Sequence, residues 1–112
     1  MYYEGGGFGI NIECPNGTAT CALYDDDVVH PFRKPMEGFG HDDCIPFTGD
    51  SDFWTPQFKN RDIEQLKGKC FMLEVKLKSG RLYSLRGNFI NMMATEVFRF
   101  HSHGDLPTRK GF

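Results

Sequence analysis

GKCFMLEVKLKSGRLYSLR, residues 68–86, is the stretch whose reading decides the fold. Phe71, Leu73, Val75 and Leu77 recur at every second position, with Met72, Glu74, Lys76 and Lys78 between them. That period gives a strand with one apolar face and one largely polar face. Ser79-Gly80 reads as a turn, and residues 81–86 as a returning partner. A two-residue turn sets Leu82 opposite Leu77 and leaves Tyr83 and Leu85 on the polar side. A three-residue loop with Gly80 left-handed sets Tyr83 opposite Val75 and Leu85 opposite Leu73. The second register collects the larger apolar set on one face, so a hairpin with Gly80 at positive φ is expected.

Working outward, the same alternation appears on both sides. Phe8, Ile10, Ile12 and Cys14 alternate with Asn11 and Glu13, and Pro15-Asn16-Gly17-Thr18 carries turn chemistry. Residues 18–24 then read as a strand returning on 8–14. Residues 2–4 suggest a short edge strand, loosened by Gly5-Gly6-Gly7. Residues 28–32 make a brief strand, and the Gly-, Pro- and Asp-rich residues 33–52 read as a long connection. Residues 53–59 form a further strand, which Pro56 places at an edge or a bulge. Asp62 and Gln65 have capping-box spacing, Ile63 and Leu66 give one apolar stripe, and Gly68 suits the left-handed position after the last turn. One short helical turn over residues 62–67 follows. Residues 96–103 alternate again, and 104–112 read as a flexible tail. Many short strands and one helical turn predict a single all-β domain over 1–112, an antiparallel β-sandwich of jelly-roll type.

Composition narrows the function. A chain of 112 residues with a formal charge of −2 holds one modest core and no basic footprint for nucleic acid. No apolar run reaches the length of a membrane span, so neither nucleic acid nor membrane is an expected partner. The opening MYYEGGGFG lacks the basic and apolar regions of a signal peptide. A cytoplasmic protein, or a secreted one whose leader was removed, both fit. The four cysteines, Cys14, Cys21, Cys44 and Cys70, have no CxxC spacing. In the expected register Cys14 and Cys21 are diagonal neighbours about 7 Å apart, poor geometry for a disulfide, so buried thiols are expected, while the even count leaves disulfides open.

Five groups of residues carry chemistry. Asp25-Asp26-Asp27 reads as an exposed acidic turn, because the calcium-loop pattern is missing. His101 and His103 share a strand face beside Asp105, but at a chain end they read as solvated histidines, and no metal or other cofactor is expected. His41-Asp42-Asp43-Cys44 reads as a satisfied loop network, since adjacent residues on an extended chain cannot converge. Asp50 and Asp52 join Asp42 and Asp43 as carboxylates from which a small hydrolase would draw an acid/base pair. Aromatic residues are the densest signal: Phe39, Phe47, Phe53, Trp54 and Phe58 fall within twenty positions. Flat rings beside polar groups suit the faces of sugars. Trp54 is the expected exposed platform, with Phe53, Phe58, Asp52 and Gln57 around it.

Three stretches together carry a family resemblance: GINIECPNGTATCALYDDD at 9–27, GFGHDDCIPFTGDSDFWTPQFKNRDIEQLKGK at 38–69, and LEVKLKSGRLYSLR at 73–86. They resemble the β-sandwich module at the C-terminal end of many bacterial glycoside hydrolases, especially propeller enzymes of the fructosidase and levanase type. The shared features are Gly-Phe, Asp-Cys, Gly-Asp-Ser, an aromatic-Lys pair (Phe58-Lys59), Asp-x-x-x-Leu-x-Gly-Lys and the closing Leu82-Tyr83-Ser84-Leu85. Phe58 stands where that family carries Trp, the catalytic propeller is absent, and residues 88–112 run past the usual end. The resemblance implies a carbohydrate-associated accessory module without catalytic residues, standing alone and binding an oligo- or polysaccharide. A structural or protein-interaction module is the alternative, and a small hydrolase using Asp and His the third reading. The module's apolar surface lies against a catalytic domain in such enzymes. A homo-oligomer is therefore expected, with residues 88–103 contributing a strand to the fold or to the interface.

Overall fold

The computed structural model describes residues 1–25, 34–90 and 104. One strand dominates them. β1, Tyr2–Asp25, runs 24 residues without reversing, and β2 (Phe47–Trp54), β3 (Phe71–Lys78) and β4 (Arg81–Ile90) all pair antiparallel with it. β2 lies on one edge of β1. On the other edge β4 covers Tyr2 to Glu13, and β3 covers Thr18 to Asp25. Among the described residues the result is a single open four-stranded antiparallel sheet, and the expected β-sandwich or jelly roll is wrong.

The error lies in the two hairpins. β3 and β4 do not pair with each other, nor do the two halves of β1. Both follow one another along the partner, so that β1 and β3–β4 make one long two-stranded ribbon. A tight type I′ turn needs positive φ at both central residues. Neither Asn16 nor Gly17 adopts it, and in the second motif Ser79 does (φ 57°) while Gly80 does not. The expected left-handed Gly80 and its register therefore fail. Tyr83 and Leu82 are both exposed, while Leu73, Val75 and Leu85 are partly buried against the core. The two turn motifs instead face each other as a double bulge: Cys14 to Gly17 lie opposite only Ser79 and Gly80. The inward parity of β1 switches there, from Phe8, Ile10, Ile12 and Cys14 to Ala19, Cys21 and Leu23.

A second irregularity sits near the start of β1. Gly5, Gly6 and Gly7 take φ of 86°, 89° and 86°, which residues with a Cβ rarely adopt. The bulge they form is filled by Asn88, whose Nδ2 donates to Gly5 O at 3.2 Å. Ahead of it, Met1 and Tyr3 hydrogen-bond to 68–71 through Phe71 N to Met1 O (2.8 Å) and Gly68 N to Tyr3 O (2.8 Å). The remaining corrections concern boundaries. β2 starts at Phe47, inside the expected connection, and ends at Trp54, so residues 55–59 are not strand. The helical element is a 3-10 turn, Ile63–Leu66, with the Asp62/Gln65 capping box formed and Gly68 at φ 81°. The expected strands at 28–32 and 96–103, His101, His103 and Asp105, and the tail beyond Gly104 lie outside the described residues.

The core is aromatic at one end, where Tyr3, Phe8, Phe71 and Phe89 meet with ring centroids 5.4–6.3 Å apart. Tyr3 is fully buried, yet its hydroxyl is fully used. It donates to Glu64 Oε2 and accepts from Gly7 N at 2.6 Å, while Gly6 N donates to Glu64 Oε1 at 2.7 Å. This clasp pins the glycine bulge to the 3-10 turn. The Tyr3 bond, followed by the Gly6 N–H, holds the Glu64 carboxyl below its ordinary 4.5. Burial, then the Glu64 bond, pushes Tyr3 up from 10.0 to about 12.

The signs follow from linkage. Glu64 contributes stability above its ordinary value, lost as pH falls through the lowered folded value. Tyr3 contributes below 10, lost as pH rises toward about 12. Urea midpoints measured against pH should therefore decline at both ends. Glu64→Gln is expected to flatten the acid limb, and an unchanged acid slope in that variant would remove the clasp from the account.

Candidate functional site

The site grows from two β-bulges that meet on either side of Asn11. On β2, Trp54 pairs with Ile10 and Ser51 with Ile12, so Asp52 and Phe53 together face one β1 residue. On β4, Ser84 pairs with Asn11 and Leu82 with Ile12, which leaves Tyr83 as the extra residue. An extra residue bends its strand and re-aims its side chain, and bulges concentrate beside functional sites. Here they open a cleft of about 350 Å3 over the sheet, lined by Asn11, Ile12, Glu13, Asp50, Ser51, Asp52 and Tyr83.

Its floor is polar and its rim aromatic. Glu13 lies directly across from Asp50 on one side and from Arg81 on the other. Opposed like charges on adjacent strands are unfavourable, and Arg81, across from Glu13 on the other side, offsets the Glu13–Asp50 opposition. The Tyr83 hydroxyl donates toward Glu13 Oε2 at 3.4 Å, and 54% of that residue remains exposed. At the other end Phe53, 47% exposed, lies on Gly9; a Cβ there would come within 2.3 Å of the ring. Gly9 is what allows the ring to rest on the strand. Arg86 reaches across from β4 and donates to Asp52 O at 3.0 Å, its guanidinium carbon 5.6 Å from the Phe53 centroid.

The structure divides the residues expected to bind a ligand. Trp54 is only 7% exposed and stacks on Phe47 at 5.2 Å, so it is core rather than platform. Phe58 is equally buried, edge-on to Phe39 at 5.0 Å. Asp52 lines the larger of the two clefts found among the described residues, and the exposed Phe53 lies outside its lining, on Gly9. Gln57 lies with Phe58 in a second, smaller depression of about 220 Å3 beside Arg61 and Asp62. Asn11, Glu13 and Tyr83 were missed; the outward alternation of Asn11 and Glu13 was the available signal.

His41 does sit in a satisfied network. Its Nδ1 lies 2.8 Å from Thr20 Oγ1 and its Nε2 2.7 Å from Glu74 Oε1, to which Tyr24 also donates at 3.1 Å. Those bonds, His41 first, hold the Glu74 carboxyl below its usual range. Asp43 accepts from Gly40 N at 3.0 Å, which closes the turn. Among the described residues no three His, Cys, Asp or Glu side chains converge as metal ligands, and no helix is long and apolar enough to cross a membrane. No family model matches the chain, and neither a curated protein nor a solved structure is significantly similar to it.

Proposed function

We propose that the chain is a non-catalytic binding module whose bulge-framed cleft takes a saccharide. The carrying observation is the pair of bulges around Asn11, which opens a cleft lined by hydrogen-bonding side chains and the half-exposed Tyr83 ring. Carboxylates and an amide accept and donate to sugar hydroxyls, while Tyr83 offers a flat face to the C–H surface of the ring.

Asp50→Asn separates the two roles. It should weaken saccharide binding at least tenfold, yet leave stability nearly unchanged, because Asp50 is exposed and Arg81 offsets its opposition to Glu13. Calorimetric titration with β-fructan and plant-type oligosaccharides, beside urea unfolding of the same samples, reads both. Tyr83→Ala should abolish binding with little change in stability. Absence of binding across a broad glycan panel by folded wild-type protein would overturn the proposal.

A second reading, self-association, is favoured by the half-exposed Ile45, Phe53, Leu82 and Tyr83. Asn88 to Ile90 of the segment expected at the interface lie in β4, and residues 91–103 lie outside the described residues. A failed glycan panel together with a mass above one chain by light scattering would put this reading first.

A further inference from the structure

We infer that Cys21 and Cys44 form a redox-sensitive dithiol, which a small-molecule disulfide converts to an intramolecular disulfide locking the 41–44 turn onto β1. The inference is independent of the saccharide cleft. Its basis is a close approach: Cys21 N donates to Cys44 Sγ at 3.3 Å, so the Cys44 sulfur rests on the main chain of the other cysteine. The neighbouring pair, Thr20 with His41, holds the same turn to the same part of β1. Two independent contacts thus set the register of the thiols. Both residues are buried, at 0% and 2% exposure. Cys44 Sγ also points toward Ile45 O (3.6 Å), as Cys14 Sγ points toward Phe47 O (3.8 Å); Cys14 lies on the β2 side of β1 and Cys70 at the entry to β3.

The chemistry assigns an order. Burial raises both thiols, and for Cys21 the neighbouring Cys44 adds to the rise. For Cys44 the Cys21 N–H partly offsets burial, so Cys44 is the readier thiolate. It also adjoins the exposed Ile45 and Pro46. The Cys44 thiolate attacks one sulfur of the small disulfide RSSR, forming a mixed disulfide and releasing one thiolate. Cys21 then attacks Cys44 Sγ and expels the second. The two cysteine protons end on two RSH molecules, so the protein is oxidised by two electrons and RSSR reduced by two. All four cysteines are thiols in the structure described, which is the reduced state.

The test uses the full chain, reduced and then incubated in its native state with glutathione disulfide. Alkylation counted by mass spectrometry should fall from four reactive thiols to two after denaturation. A non-reducing peptide map should link Cys21 to Cys44, and dithiothreitol should restore all four. Cys14→Ala/Cys70→Ala should keep the link, and Cys44→Ala should lose it. Hydrogen exchange of the 41–44 amides should slow in the oxidised form. Four free thiols after prolonged exposure, or a link to Cys14 or Cys70, would overturn the inference.

Discussion

Gly17→Ala is expected to disrupt the sheet by about 3 kcal/mol or more, although alanine is the smallest side chain that can be added. A Cβ on Gly17 would lie 1.7 Å from Lys78 O and 2.7 Å from Ser79 O. Those atoms are main chain, so no rotamer change relieves the clash. Ordinary overpacking of a core costs about 1–3 kcal/mol because side chains can shift; here the two strands of the ribbon must separate. Gly80 faces the same constraint from the other side, with Glu13 O at 2.4 Å and Cys14 Cβ at 2.7 Å from its added carbon. Gly80→Val should therefore be damaging through close approach, not through a left-handed φ. Urea unfolding followed by Trp54 fluorescence measures both, since that ring is buried against Phe47 and unfolding exposes it. Asn16→Ala, at an exposed neighbour, should change the midpoint little. A Gly17→Ala midpoint close to wild type would mean that the two strands do not cross as described.

These two glycines also show where sequence reading stopped. Alternation at 8–14, 18–24 and 71–77 correctly marked extended segments and their inward faces, because a side chain's face depends only on its own strand. Partner choice depends on the turns. PNG and SG have the composition of hairpin turns, and glycine there was read as conformational freedom. Its actual use is the absence of a Cβ where two backbones cross, which composition does not distinguish. Counting two hairpins where one ribbon exists doubled the strands and produced the sandwich. The capping box at Asp62 and Gln65 was legible because all of its determinants lie within four residues.

The candidate site was legible only in part, for a related reason. Phe53 and Trp54 are adjacent, so an extended chain sends one outward and one inward. Assigning both to a binding surface overlooked that parity, and the strand's true start at Phe47 settles it: Trp54 stacks on Phe47 inside, and Phe53 lies outside on Gly9. The bulges at Asp52–Phe53 and Tyr83 interrupt alternation, so they read as noise in a period-2 pattern. They become visible only when both neighbours of Asn11 are known.

Phe8→Ala should cost about 3–5 kcal/mol, the range for removing a fully buried Phe side chain. Phe8 is 0% exposed and touches three rings, with centroids 5.9 Å from Tyr3, 6.3 Å from Phe71 and 5.4 Å from Phe89. Aromatic pairs in such arrangements contribute about 0.5–1.5 kcal/mol beyond buried area, so the loss belongs in the upper part of that range. The position also matters for topology. Phe8 follows the glycine bulge directly and pairs with Gly87, which itself leaves no room for a Cβ beside Phe8 and Phe89. Losing the ring therefore empties the space against which Tyr3 and Phe89 hold the start of β1 to the end of β4. The Tyr3–Glu64 clasp should loosen with it, and the alkaline decline of stability should shrink. Phe53→Ala is the matched control, the same deletion from a ring that is 47% exposed, and should cost well under half as much. Thermal and urea unfolding of both variants give the comparison. A Phe8→Ala loss no larger than that of Phe53→Ala would show that the aromatic quartet is not the centre of the core.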